Sequence, residues 1–292
     1  MKGLILTNAY SANPHSANQP LRLKEEFARL GVEVDIQRND GFWTSIDREG
    51  EVQTTLGGYD FCVYLDKDKY VSALLEKAGL RLFNSHLSIL TCDDKMETAI
   101  ALSGKGIPMP KTLPGLLCYT PHAKVREEIL DRVERELGYP VIVKESYGSF
   151  GAQVYLASTR PELESIASSV QYKHHLFQEF VPTSYGRDIR VIVIGGEVVA
   201  CMERRSSTDF RANIERGGVG YPIDLPEEAK DLAIRAANAL SLDYCGVDIL
   251  FGKDDYLLCE VNSNAFFGGI EKVTGVNVAR AYAEYILKEM TE

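Results

Sequence analysis

Residues 246–262 read GVDILFGKDDYLLCEVN. Two apolar runs enclose Asp248 and Glu260, and the polar KDD between them is a turn signal, so the segment reads as two strands folded back on each other. Glu260 and Asn262 stand two residues apart on the returning strand, which puts their side chains on one face. With Asp248 on the facing strand, three oxygen donors converge. Hard donors of this kind suit Mg²⁺, which takes carboxylates together with phosphate oxygens and water. The plainer alternative is that both acids solvate a strand edge while Asn262 opens a turn. The apolar neighbours weigh against it, because a carboxylate among them is expensive without a cation.

Upstream, ERRSSTDFRANIERGG (203–218) gathers Arg204, Arg205, Arg211 and Arg216. Guanidinium groups suit the charge on a transferring phosphoryl group and on substrate carboxylates, although a solvated basic loop is the ordinary fate of such a run. Before it, FQEFVPTSYGRDIR (177–190) offers an extended backbone from Gln178 through Glu179 and Phe180 to Val181 that can face a nucleobase edge, with Asp188 as an acid for ribose hydroxyls. Asp188 can equally pair with Arg187 or Arg190. Lys144 closes the apolar run PVIVK (140–144) and precedes SYGSFG (146–151). The glycines of that loop let backbone N–H groups approach an anion and let the loop close as a lid. A glycine hairpin beside a snorkelling lysine would read the same way, and the GxxxxGK[ST] phosphate loop is absent.

The chain has 292 residues, 45% of them hydrophobic, enough for two or three lobes with cores of their own. Its net charge of −10 argues against a nucleic-acid surface. No apolar run is long enough for a membrane span, and MKGLILTNAY turns polar too early for a secretory segment, so a cytoplasmic protein is expected. The six cysteines are scattered without a CxxC pair and read as reduced thiols; the five histidines, His15 among them, form no spaced pair. Zinc and hydrolase chemistry therefore have little support.

The opening residues read as strand, helix and strand through Ile36, and Phe61 to Leu65 as a buried strand, which gives an α/β unit over the first third. A short helix at Lys95 to Leu102 and the Pro-containing 106–115 lead into a small α+β unit. RVIVIGGEVVACMER (190–204), a hairpin about Gly195 and Gly196, opens the last one.

In this order the pieces resemble the RimK-type ATP-grasp carboxylate–amine ligases, a family that includes enzymes adding glutamate to carboxylates. DFRANIERGG (209–218), the GVDIL and CEVN pair, and GIEKVTGVNVA (269–279) carry the resemblance, which runs from about Leu87 to the end and more loosely through the first lobe. It implies an ATP-grasp fold of mixed α/β and α+β class: an N-terminal Rossmann-like pre-ATP-grasp lobe over 1–87, a small central lobe over 88–183 and a larger C-terminal lobe over 184–292. It also implies ATP as co-substrate with two Mg²⁺ ions, or Mn²⁺, held by Asp248, Glu260 and Asn262, with Glu260 bridging. Lys95, Lys144 and Ser149 would meet the phosphates, and Gln178, Glu179, Phe180 and Val181 the adenine. Asp188 would bind ribose, while Arg211 and Asn213 would lie beside the terminal phosphate. Arg190 and Arg205 would grip the acyl phosphate or an acidic substrate, and with Arg211 they are the catalytic candidates. The partners implied are a small-molecule or peptide carboxylate and an amine or amino acid, in a homodimer or homotetramer. A phosphotransferase that stops after phosphorylation, or a nucleotide-binding module without turnover, are the rival classes.

The chain departs from the commonest family pattern after Asn262, where many relatives carry a Pro-Gly turn. Here Ser263 to Gly269 read SNAFFGG. That loop should border the acceptor pocket, with Phe266 and Phe267 either lining it or packing in the core.

Overall fold

A computed structural model gives the fold for residues 1–11 and 14–291; the side chains of residues 14–16, His15 among them, lie outside the described set. The chain opens with β1 (Lys2–Thr7), α1 (Pro14–Arg29), β2 (Glu33–Arg38), a ribbon of β3 (Thr44–Ile46) and β4 (Val52–Thr54), β5 (Phe61–Leu65), α2 (Lys69–Lys77) and β6 (Arg81–Phe83). Four of these strands form a parallel sheet in the order β2-β1-β5-β6. Leu4, Ile5 and Leu6 are all buried, as are Phe61 to Tyr64, because a parallel sheet is covered on both faces and takes unbroken apolar runs. The chain leaves β1 toward β2 and returns on the other side to β5, so the carboxyl ends of β1 and β5 flank a crevice.

Next come α3 (His86–Asp93) and α4 (Lys95–Leu102), the second capped by Asp94, whose carboxylate accepts from the backbone N–H groups of Met96 and Glu97. Then β7 (Thr112–Pro114), α5 (Glu127–Leu137), β8 (Val141–Glu145), β9 (Val154–Ala157), α6 (Arg160–Val170) and β10 (His175–Glu179) build a second sheet, β7-β10-β8-β9. Leu130 and Leu163 of its helices pack on Val141, Val143 and Phe177.

The third sheet, β13-β12-β11-β14-β15, is antiparallel throughout. Its strands are β11 (Arg187–Ile194), β12 (Glu197–Arg205), β13 (Val219–Tyr221), β14 (Tyr244–Phe251) and β15 (Tyr256–Asn262), with α7 (Glu227–Ala239) before β14 and α8 (Gly268–Thr274) and α9 (Val278–Glu289) after β15. Gly195 and Gly196 turn the β11–β12 hairpin at φ 56° and 78°, a conformation that favours glycine. Helix α7 covers one side through Leu232 and Ala236 on Val191 and Val247. On the other side Tyr244, Phe267 and Tyr282 join Phe27, Phe61 and Phe83 in one apolar cluster, which ties the first sheet to the third.

Asn84 reinforces that joint. It is buried and donates to the carbonyls of Tyr244 and Ser263, each at 2.8 Å, while accepting from the Tyr244 N–H at 2.9 Å. The residues after Asn262 are thus held by the first unit. Among the described residues no helix is long and apolar enough to cross a membrane.

Candidate active site

Antiparallel pairing decides which side chains meet. Asp188 of β11 lies opposite Arg204 of β12, Arg190 of β11 opposite Asp248 of β14, and Asp248 opposite Glu260 of β15. Paired residues share a face, so five charged side chains from four strands stand on one side of the sheet. Arg204 donates to both oxygens of Asp188, at 2.7 Å each, and lies 3.0 Å from an oxygen of Asp248. Arg190 grips Asp248 as well, through Nε and through Nη2 at 2.8 Å. Gly246 makes room: a Cβ there would sit 2.5 Å from Ala265 Cβ and 3.0 Å from Arg190 Nη1.

Asp188, Arg204 and Asp248 are 8%, 4% and 4% exposed, so these charges depend on one another. Burial pushes the Asp248 carboxyl up, but Arg190 and Arg204 more than offset it and hold it below its usual range. For Asp188 burial prevails over Arg204, and the charge of Asp248 adds to it, so its carboxyl lies above the usual value.

The cleft facing this ladder has Lys144 and Ile142 of β8 on one wall and Asp188, Asp248 and Glu260 on the other. Gln178, Glu179, Phe180 and Val181 line it too. The Gln178 amide donates to Thr112 Oγ1, and a Glu179 oxygen accepts from the Lys111 N–H. Lys144 is buried with Nζ 4.0 Å from Cys259 Sγ. Lys95 of α4 stands beside it, with Nζ 3.1 Å from the Gly148 carbonyl and 3.6 Å from Glu260.

Residues 146–153 form the glycine-bearing loop, with positive φ at Gly148, Phe150 and Gly151. Arg211 clamps it. Its Nη1 donates to the carbonyls of Gly151 and Val154 at 2.6 and 2.9 Å, while Nε and Nη2 hold Asp209 at 2.9 and 2.8 Å. Asn213 lies against the same loop, 2.7 Å from where a Gly151 Cβ would be. Hydrogen bonds from Arg211 hold the Asp209 carboxyl down at about 2. Its contribution to stability is therefore full above the ordinary carboxylate range and lost as pH falls toward 2. Asp209→Asn should lower the urea midpoint at pH 5, and its gap from the parent should close as pH approaches about 2. A gap that persists there would separate the clamp from the ionisation of Asp209.

An inner chamber continues from the cleft past Arg204, Asn213, Asp248 and Glu260. Asn262, Arg190, Lys67 and Phe266 line it. Ser149 belongs to this chamber rather than to the cleft beside Lys144. Phe150 and Phe266 stack there, centroids 6.0 Å apart and 1° from parallel, whereas Phe267 is buried in the core.

One sequence-predicted residue is not brought to the cluster. Arg205 points to the opposite face of β12, where it pairs with Glu203 at 2.7 Å and lies over the Tyr221 ring. Arg204 takes the inward position. Strand alternation carries the signal, since the buried apolar Met202 and Ala200 lie two and four positions before Arg204.

Among the described residues no three His, Cys, Asp or Glu side chains form a ready metal cluster. The donor set available is two carboxylates and an amide. Asp248 accepts three guanidinium contacts and keeps a lone-pair position, and Glu260 and Asn262 line the same chamber. These oxygens fit a hard divalent cation that also takes phosphate and water.

A family model described as the RimK-like ATP-grasp domain matches residues 92–286. Beta-citrylglutamate synthase B of Danio rerio is 38% identical over 229 residues, 77% of this chain and 55% of that protein. This chain thus spans little more than half the length of that relative. A probable alpha-L-glutamate ligase of Enterobacter sp. (strain 638) is 36% identical over 219 residues, 74% of this chain and 70% of the relative. Among solved structures, the ATP-grasp ligase PsnB complexed with minimal precursor, Mg and ADP matches with a TM-score of 0.72 at 19% identity, over 99% of this chain and 97% of that one.

Proposed function

The chain belongs to the RimK-like ATP-grasp family, and from that premise we propose that it is an ATP-dependent carboxylate–amine ligase working through an acyl phosphate. The observation that carries this reading is the charged ladder of Asp188, Arg204, Arg190, Asp248 and Glu260, which faces a cleft also lined by Lys144. Such a site can neutralise a triphosphate from both sides.

In this reading the chain works as three lobes, 1–87, 88–183 and 184–292. Gln178 to Val181 hold adenine against Ile142 and Leu250. Asp188, kept in place by Arg204, receives the ribose. Lys95 and Lys144 meet the phosphates, and Arg211 with Asn213 brings the lid down on the terminal one. Asp248, Glu260 and Asn262 would hold Mg²⁺, as one ion or two, which neutralises phosphate charge when bound. PsnB, whose solved complex contains Mg and ADP, supports this assignment by its fold.

A substrate carboxylate oxygen forms a bond to the γ-phosphorus of ATP as the bond to ADP breaks. Arg190 faces the resulting acyl phosphate. A neutral amine then attacks the acyl carbon, phosphate departs, and the nitrogen gives up a proton to leave an amide. Because water would hydrolyse the acyl phosphate, the lid closes first, with Phe150 against Phe266 excluding solvent from the inner chamber.

Release of ADP, screened over paired pools of carboxylic acids and amines and followed by mass measurement, tests the proposal. The expected product is the sum of acid and amine less water. A phosphorylated acid stable to added amine would replace the ligase reading with a phosphotransferase.

A further inference from the structure

Beyond the inner chamber lies a third cavity, at the carboxyl ends of β1 and β5. It opens where the first sheet changes direction, the place where open α/β sheets bind ligands. Lys67, Phe150, Asn264 and Phe266 line both spaces, so the cavity continues from the reaction chamber.

Asp66 forms part of its wall and is 7% exposed. Its carboxylate accepts from Asn8 Nδ2 at 3.0 Å, from Asn39 Nδ2 at 2.8 Å and from the Lys67 N–H at 2.7 Å. Every one of these donors is neutral, and among the described residues no lysine or arginine pairs with it. The neighbouring Lys67 ammonium is turned to Asp93 instead, at 2.6 Å. A buried carboxylate held in position by amides but left without a counter-charge is complementary to a cation. A second observation points the same way. Asn264 Oδ1 is buried without a hydrogen-bond partner, on the wall between this cavity and the inner chamber. Two residues that line one space thus carry acceptors, and such a pair suits a ligand with several N–H donors.

We propose that this cavity holds a free ammonium group of the acid substrate, with Asp66 as its anchor and Asn264 as a second acceptor. The inference rests on the ligase reading above and specifies the acid: a carboxylic acid that carries an unblocked amino group. An ammonium paired with a carboxylate is protonated and has no lone pair, so the anchored nitrogen is not the one that attacks. The carboxylate end of the same molecule extends into the inner chamber, toward Arg190 and the phosphates.

Hydroxylamine replaces the unknown amine in the test, because it traps any acyl phosphate as a hydroxamate. The full chain is given ATP, Mg²⁺, hydroxylamine and each of the twenty amino acids, alongside their N-acetyl and 2-hydroxy counterparts. Hydroxamate is expected from one or more free amino acids and not from the matching N-acetyl or hydroxy acid. Asp66→Asn should raise KM for that acid about 10-fold to 100-fold, with KM for ATP within about 2-fold of the parent. Should Asp66→Asn fail to fold, Asn264→Ala is measured in its place and should raise the same KM.

Equal use of the N-acetyl acid, or an unchanged KM in the variant measured, overturns the ammonium site and leaves the ligase reading standing. No hydroxamate from any of these acids, when the wider screen does yield an amide, also overturns the site alone. Failure of both screens removes the ligase reading and this inference with it.

Discussion

Replacing Glu260 by glutamine should lower turnover about 10³-fold while leaving the melting temperature within about 2 °C of the parent. The two halves of that expectation come from one geometry. Glu260 is the more open of the two facing carboxylates, with a side chain 26% exposed, and its nearest cation is Lys95 at 3.6 Å. Loss of such a pair costs little stability. Asp248, its cross-strand neighbour, is already gripped by two guanidinium groups, so Glu260 is the carboxylate with most capacity left for a divalent ion. The measurement is kcat together with the Mg²⁺ concentration for half-maximal rate. If both match the parent, Glu260 holds no metal.

The second large effect is on stability. Arg204→Met should destabilise the fold by about 3–5 kcal/mol, because it leaves one partner of a buried ion pair uncompensated. Asp188 loses both of its charged hydrogen bonds, and Asp248 falls back on Arg190 alone. The size should depend on pH, with a definite sign. Asp188 already has its carboxyl raised by burial, and removing Arg204 raises it further. A group raised in the folded state contributes stability below its unfolded value and loses it as pH rises through the folded one. The deficit of the variant should therefore be larger at pH 8 than at pH 5, as urea titrations at the two pH values will read. Arg205→Met, on the outer face with a side chain 56% exposed, should change stability by less than about 0.5 kcal/mol at either pH.

These two adjacent arginines lie on opposite faces of β12, a difference their own chemistry does not encode. Both stand in ERRSSTDFRANIERGG, and guanidinium chemistry alone gave no reason to prefer one. Their neighbours did, since Ala200 and Met202 set the inward parity, but that parity has meaning only once β12 is known to be paired with β11. Phe266 and Phe267 pose the same problem. One stacks on Phe150 and the other fills the core, and nothing within SNAFFGG ranks them.

What the sequence determined by itself was local. Unbroken apolar runs gave the buried parallel strands, Gly195-Gly196 the hairpin, and the spacing of Glu260 and Asn262 their shared face, because each depends on backbone geometry over a few residues. Only the tertiary structure decided that Arg190 meets Asp248, 58 residues away, that Arg211 is turned to the 146–153 loop, and that Asp66 lines a cavity joined to the inner chamber. Those contacts follow from which strands lie side by side and in what register. Register is fixed by packing over the whole sheet, which no short stretch of chain encodes.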